Sequence, residues 1–255
     1  MNRLKLITGI ICFAVFHGYG QEKNILFSQY QYNSLSINPA YAGSHEVFSA
    51  TLIKRMQWIG FEGAPNYESL NMHFLGKNTK TGWGINALHE NIGIRNYFNL
   101  FINYAYRLTL GNGYLSLGLK GGMSSGKQDL SEIDADDPVY NENAHSYMVP
   151  NFGIGVYYKA RNFFSGISIP LMLGYESGND GTITAYHDFR QYAYFATGGF
   201  SVNIDENWML TPSLLVSYEE STGLILDITV NGLYKKMLGA GLAYRTSGAL
   251  IFLVN

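Results

Sequence analysis

Much of this chain alternates between large apolar residues and small or polar ones, and this alternation limits the possible fold more than any other feature. In the clearest run, from residue 98 to residue 108, Leu100 and Ile102 alternate with Asn99 and Asn103. A period of two predicts β-strands, because successive side chains of a strand point to opposite faces. Runs of about 9–13 residues suit strands tilted across a bilayer, whereas strands of soluble sandwiches are usually about 5–6 residues long. The pattern therefore predicts an all-β protein of antiparallel strands that cross a membrane.

The composition agrees with strands that face lipid. The chain contains 29 glycines, 20 tyrosines and 15 phenylalanines, but only 14% of its residues are charged. Soluble domains usually contain about 25% charged residues, and a membrane-spanning helix needs an apolar run of about 18 residues, which is not found beyond the N-terminus. The net charge of −2 excludes the basic excess expected of a nucleic-acid-binding protein. A secreted, soluble all-β protein is the alternative to a membrane barrel.

The side of each run opposite the large apolar residues favours the barrel. It contains mainly Gly, Ser, Asn and Thr, with occasional Lys or Arg, as expected for a crowded or wet barrel interior. Trp58, Trp83, Tyr97, Trp208 and Tyr218 lie near run ends, where aromatic girdles meet the membrane interfaces. We predict about twelve strands joined mostly by short turns, with two long connections. The predicted strands cover residues 46–57, 66–76, 82–90, 97–110, 113–124, 150–160, 161–171, 190–204, 207–219, 222–235, 237–246 and 248–255.

The N-terminus predicts a signal peptide for export. A short basic start is followed by an apolar core from Leu6 to Phe16, and Gly18 and Gly20 supply the small residues of a cleavage site. The core is too short to cross a membrane as a helix, which takes about 20 residues. The only cysteine of the chain lies within it, so no disulfide is expected. The expected organisation is a signal peptide (1–20), an N-terminal periplasmic or plug segment (21–45) and an outer-membrane β-barrel (46–255).

An uncharged segment, SINPAYAG, precedes the first predicted strand. Its Asn-Pro step disfavours helix and biases the chain towards an extended or turn conformation. Its small residues allow another surface to approach the backbone closely, and its tyrosine supplies one large amphipathic anchor. We expect the segment to plug the periplasmic mouth of the barrel or to dock a periplasmic partner, with a simple turn before the first strand as the alternative. The residues singled out for this role are Asn38, Pro39, Ala40, Tyr41 and Gly43.

The sequence offers little catalytic or metal-binding chemistry. It contains no GxSxG, HExxH or P-loop motif, and His73 and His89 have no carboxylate or thiol at ligand spacing. An acidic loop between the fifth and sixth predicted strands could hold Ca²⁺, but its spacing lacks the order of a calcium-binding loop. We interpret it as a solvated loop and expect no catalytic residue, metal or cofactor. The acidic residues singled out are Asp134, Asp136 and Asp137.

Two stretches near the N-terminus carry a resemblance to a known family. They are FSQYQYNSLSINPAYAGS at residues 27–44 and KRMQWIGFEGAPNYESLNMHF at residues 54–74. Both resemble the N-terminal half of the PorP/SprF family, the outer-membrane proteins of the type IX secretion and gliding machinery of Bacteroidota. Shorter pieces, such as NFGIGVYY at residues 151–158, continue the likeness along the chain. The family-typical positions are Asn38, Pro39, Ala40 and Gly43, followed by Arg55, Gln57, Trp58, Gly60, Gly63 and Pro65.

The resemblance implies a non-enzymatic barrel in the outer membrane that assists export or surface anchoring of secreted proteins such as adhesins. The implied partners are outer-membrane lipid, components of the secretion or gliding machinery, and a secreted adhesin or its C-terminal domain. The family leads us to expect about fourteen strands rather than about twelve, so we expect the chain to be truncated at its C-terminus or to close as a smaller barrel. The alternative function is an outer-membrane channel or transporter for hydrophobic or small solutes, resembling fatty-acid transporters, and an outer-membrane hydrolase is a weaker alternative.

Overall fold

The computed structural model of the protein describes residue 30 and residues 32–128, 146–177, 183–235 and 237–254. Antiparallel strands make up most of these residues, which confirms the predicted all-β class. Within the same ranges, no helix is both long and apolar enough to span a membrane. The elements are α1 (Ser34–Ile37), a 3₁₀ helix (Pro39–Tyr41), β1 (Ser49–Met56), β2 (Asn66–Leu75), β3 (Thr81–Ile92), β4 (Arg95–Leu110), β5 (Gly113–Gln128), β6 (Ser146–Ala160), β7 (Phe163–Ile169), β8 (Gly174–Ser177), β9 (Ile183–Tyr186), a second 3₁₀ helix (Phe189–Gln191), β10 (Tyr194–Phe200), β11 (Val202–Asn203), β12 (Trp208–Glu219), β13 (Gly223–Tyr234), β14 (Leu238–Arg245) and β15 (Ala249–Val254).

All twelve predicted strands are present, and they form one sheet in which neighbours along the chain pair with each other. The order is β1-β2-β3-β4-β5-β6-β7-β10-β12-β13-β14-β15, and the short β11 pairs beside β12. The hairpin β8–β9 lies in one of the two predicted long connections, and its four-residue strands are too short to show a periodicity in the sequence. β6 starts at Ser146 rather than at residue 150, since Pro150 lies within the strand instead of beginning it.

The two faces of the sheet differ in chemistry, as the alternation predicts. On β4, Asn103 and Arg107 are buried, whereas Ile102 is 58% exposed and Leu100 is 45% exposed. This is the reverse of a soluble protein and the expected arrangement for strands with lipid outside and a polar interior. We call the face of the buried polar residues the inner face and the opposite one the outer face. The buried polar residues of the long strands include Asn71, Asn86, Asn103, Arg107, Ser116, Lys120, Asn151, Ser168, Ser213, Ser217, Asp227, Thr229, Asn231 and Arg245.

The sheet is strongly curved, with the inner face concave. The Tyr30 hydroxyl shares a hydrogen bond of 2.7 Å with Ser213 Oγ on β12, while Asn33 Oδ1 accepts one from Asn71 Nδ2 on β2. Three residues of chain span at most about 11 Å. In a flat sheet, the seven strand spacings between β2 and β12 would separate those strands by roughly 34 Å. The inner face therefore wraps around the residues before β1.

The connections between strands differ in length at the two ends of the sheet. At one end lie residues 57–65, the end of β5 and the start of β6, which residues 129–145 separate in the sequence, and residues 170–177 and 183–193 between β7 and β10. At the other end lie short turns such as residues 76–80, 111–112 and 161–162. We call these the long-loop end and the short-turn end. The chain enters β1 at the short-turn end, because β1 runs antiparallel to β2 and its first residue pairs with His73.

Candidate functional site

The residues before β1 form a compact N-terminal segment, residues 32–44, built from α1 and the 3₁₀ helix. Asn38 separates the two helices with an extended backbone (φ −130°, ψ 112°), as the proline after it requires. Its Oδ1 accepts a hydrogen bond of 2.9 Å from the Ala40 N–H, and Pro39 occupies the first helical position, where no N–H is needed. The Asn-Pro step therefore ends one helix and begins the next.

Asn38 also joins the segment to two strands. Its Nδ2 donates to the Val156 carbonyl of β6 at 3.0 Å and to the Ile167 carbonyl of β7 at 3.4 Å. Two glycines make room for it: a Cβ on Gly155 would overlap Asn38 Oδ1, and one on Gly166 would lie 2.8 Å from Asn38 Nδ2. The side chain is buried, and both its amide nitrogen and its amide oxygen form hydrogen bonds.

The alanines of the motif lie directly on the backbone of the sheet. Ala40 and Ala42 are both fully buried. A Cβ on Gly118 of β5 would overlap the Ala40 nitrogen, and one on Gly82 of β3 would overlap the Ala42 carbonyl oxygen. Gly43 has a φ of +75°, the left-handed region that favours glycine, and a Cβ there would lie 2.9 Å from the Gly82 Cα. The motif and the strands beneath it therefore both need small residues.

Three inner-face cations bind carbonyl groups of the segment. Lys120 Nζ donates to the Ser36 carbonyl at 3.0 Å, and Lys159 Nζ donates to the Ser44 carbonyl at 2.8 Å. Arg107 contacts the Gly43 carbonyl at 3.4 Å and pairs with Glu46 at 2.8 Å. Short helices leave most of their carbonyl groups without partners in the helix, and Lys120 on β5 donates to one of these, that of Ser36. The carbonyls that accept from Arg107 on β4 and Lys159 on β6 follow the 3₁₀ helix.

Tyr41 lies among aromatic rings at the short-turn end. Its ring is 5.3–5.5 Å from those of His45, His73 and Tyr157, each in an edge-to-face arrangement. Burial raises the pKa of the Tyr41 phenol, which therefore stays protonated. Desolvation, and then the nearby Lys159 charge, lower the pKa of His45. The neutral ring can therefore accept a hydrogen bond at Nε2 from the Tyr41 hydroxyl, 2.8 Å away.

Amides and hydroxyls connect α1 with β2 and β3. Ser36 Oγ donates to Asn71 Oδ1 of β2 at 3.0 Å and accepts from Asn86 Nδ2 of β3 at 2.7 Å. Ser168 Oγ of β7 donates to the Ile37 carbonyl at 2.9 Å. The segment is thus hydrogen-bonded to strands on both sides of β4 and β5, and not to one edge of the sheet alone.

The remaining family-typical positions lie at the opposite, long-loop end. The guanidinium of Arg55 stands 5.5 Å from the centre of the Tyr67 ring, and the Gln57 N–H donates to the Pro65 carbonyl at 3.0 Å. Trp58 is 69% exposed with a φ of +47°. Gly60 and Gly63 also have positive φ, and the Gly63 carbonyl accepts from the Gly93 N–H at 2.9 Å. The family-typical positions therefore form two separate groups.

The acidic residues Asp134, Asp136 and Asp137 lie outside the described residues. In the part of the chain that the structure describes, no three His, Cys, Asp or Glu side chains are placed to hold a metal ion. The sequence reasoning missed the inner-face glycines and cations that hold the segment. Their only sequence signal is their place on the small or polar side of each alternating run, which does not tell which of them meet the segment. Those residues are Gly82, Gly118, Gly155, Gly166, Arg107, Lys120 and Lys159.

Comparison with protein families agrees with the geometry. The model of the family described as "Type IX secretion system membrane protein PorP/SprF" matches residues 20–255. The chain belongs to the PorP/SprF family. This match confirms the resemblance found in the sequence. PorP/SprF is a family of type IX secretion membrane proteins and not a family of enzymes. The search of curated proteins gave no match.

Proposed function

We propose that this PorP/SprF protein is a non-enzymatic outer-membrane β-barrel that assists the export or surface anchoring of secreted proteins, such as adhesins. Family membership supports the secretion role, and the apolar outer face and polar inner face support a barrel in lipid. Residues 1–20 serve as a cleaved export signal. The partners in this proposal are the type IX secretion or gliding machinery, a secreted adhesin or its C-terminal domain, and outer-membrane lipid.

The observation that carries the mechanism is the N-terminal segment bound across the inner face. In barrels of this kind the long loops face outside and the short turns face the periplasm, so the segment lies at the periplasmic mouth. Its contacts with β2 to β7 suit a plug that restricts passage of small solutes. A plugged barrel can hold a partner at the membrane without conducting, as a tether requires.

The plug has no charged side chain between Asn33 and Ser44, and basic side chains of the inner face donate to its backbone carbonyl groups. Because backbone carbonyls are common to all peptides, a second peptide with equally small residues can compete for these donors. We infer that a periplasmic partner, or the C-terminal domain of the cargo, acts at this mouth.

The test is affinity purification of the tagged, full-length protein from native outer membrane, followed by mass spectrometry. We expect secretion-machinery components or a surface protein to be enriched. Recovery of general porins and lipid alone would contradict the secretion role. Planar-bilayer recordings separate this proposal from the channel alternative: a tether plugged by the N-terminal segment conducts poorly, whereas a channel for small solutes shows steady, large conductance in the unmodified protein.

A further inference from the structure

The outer face is uneven where β7, β10 and β12 lie side by side. Ala196 and Gly198 point outwards from β10 but are small, whereas Ile167 on β7 and Leu214 and Val216 on β12 stand high on either side. The result is a groove along β10, formed by two adjoining cavities of about 500 and 460 Å³ that share Ala196 and Val216 in their walls. We call it the outer-face groove.

Aromatic pairs mark both ends of the outer-face groove. Tyr194 and Tyr218 are direct cross-strand partners at the long-loop end, and Phe163 and Phe200 are partners at the short-turn end. The strand between them covers seven residues, or about 20 Å. One leaflet occupies about half of the 30 Å hydrocarbon core, or roughly 15 Å. Because membrane strands are tilted by about 35–45°, the groove reaches roughly 15 Å along the bilayer normal, which is about the depth of one leaflet and the reach of one acyl chain. Phenol groups lie only at its long-loop end.

We propose that the outer-face groove binds one acyl chain of a bilayer lipid, whose headgroup lies beside Tyr194 and Tyr218. The groove is continuous with the apolar outer face, so lipid already surrounds it. The hydroxyls along it are turned away: Ser168 bonds to the Ile37 carbonyl and Ser213 to Tyr30, both on the inner side. The Ser168 and Ser213 hydroxyls are therefore not available to a ligand in the groove.

The width of the groove excludes larger occupants. Its walls on β7 and β12 are two strand spacings apart, roughly 10 Å between backbones, and the side chains of Ile167, Leu214 and Val216 narrow that distance further. A helix with its side chains is about 10–12 Å across and would rest on the walls without reaching Gly198. A single hydrocarbon chain can reach it. An empty groove would leave the lining without contacts, which a flexible acyl chain supplies.

The test fills the groove and compares the result with the same change elsewhere on the outer face. Gly198→Leu places a side chain on the groove floor, where the nearest atom to its Cβ is the Phe164 carbonyl oxygen at 3.7 Å, so the backbone can accept it. Gly121→Leu is the matched control, because Gly121 also faces outwards and its Cβ would meet only Phe152, at 3.6 Å. Ala196→Leu is a second groove variant.

Each full-length protein is reconstituted in vesicles of phosphatidylethanolamine and phosphatidylglycerol, extracted in mild detergent, and analysed by native mass spectrometry. We expect one intact phospholipid to remain on the wild type and on Gly121→Leu. Both groove variants should retain at least about tenfold less, the equivalent of roughly two buried methylene groups. The proposal is wrong if the wild type retains no lipid, if the adduct is a free fatty acid, or if folded groove variants retain as much phospholipid as the control.

Discussion

Two regions of the molecule carry the family-typical residues, and they use small residues for different physical reasons. At the short-turn end, Gly82 and Gly118 lie under the N-terminal segment, where any Cβ would overlap its backbone. At the long-loop end, Gly60 has a φ of +99° and open space around it. Gly82 and Gly118 are needed because the segment approaches the sheet closely, whereas Gly60 is needed because its backbone has a positive φ. A substitution should therefore displace the segment in the first region, and only strain a loop in the second.

One reporter can distinguish these outcomes. The only cysteine of the chain, Cys12, lies in the predicted signal peptide, so a mature protein with Ser44→Cys has a single thiol. Ser44 is 6% exposed, and cysteine is close to serine in size. Its maleimide labelling rate then measures how often the N-terminal segment leaves the inner face.

The largest expected effect is that of Gly118→Val. The new Cβ would overlap the Ala40 nitrogen, and no rotamer change can relieve overlap with backbone. Overpacking typically costs about 1–3 kcal/mol, and this site is at the upper end. We expect Ser44→Cys labelling to rise about a hundredfold and bilayer conductance to appear. Gly121→Val, three positions along the same strand but facing outwards, is the control and should behave as wild type. Unchanged labelling in folded Gly118→Val would show that the glycine is not required by the segment.

Asn38→Asp is expected to have the next largest effect. The aspartate keeps an oxygen that can cap the Ala40 N–H but replaces the donor that faces the Val156 and Ile167 carbonyls. A buried carboxylate would then lie against two acceptors, and the loss of a buried hydrogen-bond partner costs about 1–3 kcal/mol. Labelling should rise between tenfold and a hundredfold, about as much as with Asn38→Ala or more. A milder effect for aspartate than for alanine would mean that capping matters more than the strand contacts.

The sequence predicts the strands well, but it does not predict the contacts between the N-terminal segment and the sheet. The strands were predictable because alternation along β4 or β13 is a local property of the chain. The pairing of Gly118 with Ala40, or of Lys120 with the Ser36 carbonyl, was not, because it depends on how the sheet curves. The small residues of the motif indicated that some surface approaches it closely, but not which strands provide that surface.

A smaller effect is expected from removing an inner-face cation. Lys120→Met leaves the Ser36 carbonyl without its 3.0 Å donor, but it also removes the cost of keeping an ammonium group away from water. The net loss should be about 1–1.5 kcal/mol, and labelling should rise roughly tenfold. Lys54→Met is the control, because Lys54 pairs with Glu68 on the outer face of β1 and β2, away from the N-terminal segment. An equal rise in both variants would point to a general loss of stability rather than to release of the segment.

Gly60→Ala is expected to have the smallest effect. It is also the most direct test of the difference between the two regions. A side chain at a φ of +99° costs about 1 kcal/mol in strain, yet no atom lies within 4 Å of the new Cβ. The urea midpoint of the protein in lipid vesicles should fall slightly, while the Ser44→Cys labelling rate stays at the wild-type value. Ile59→Ala, which changes the neighbouring exposed residue without backbone strain, should leave both measurements unchanged. If Gly60→Ala instead accelerates labelling, the 57–65 connection and the N-terminal segment are energetically coupled across the sheet. The small residues at the two ends would then belong to one cooperative unit, because strain placed at the long-loop end would be felt at the short-turn end.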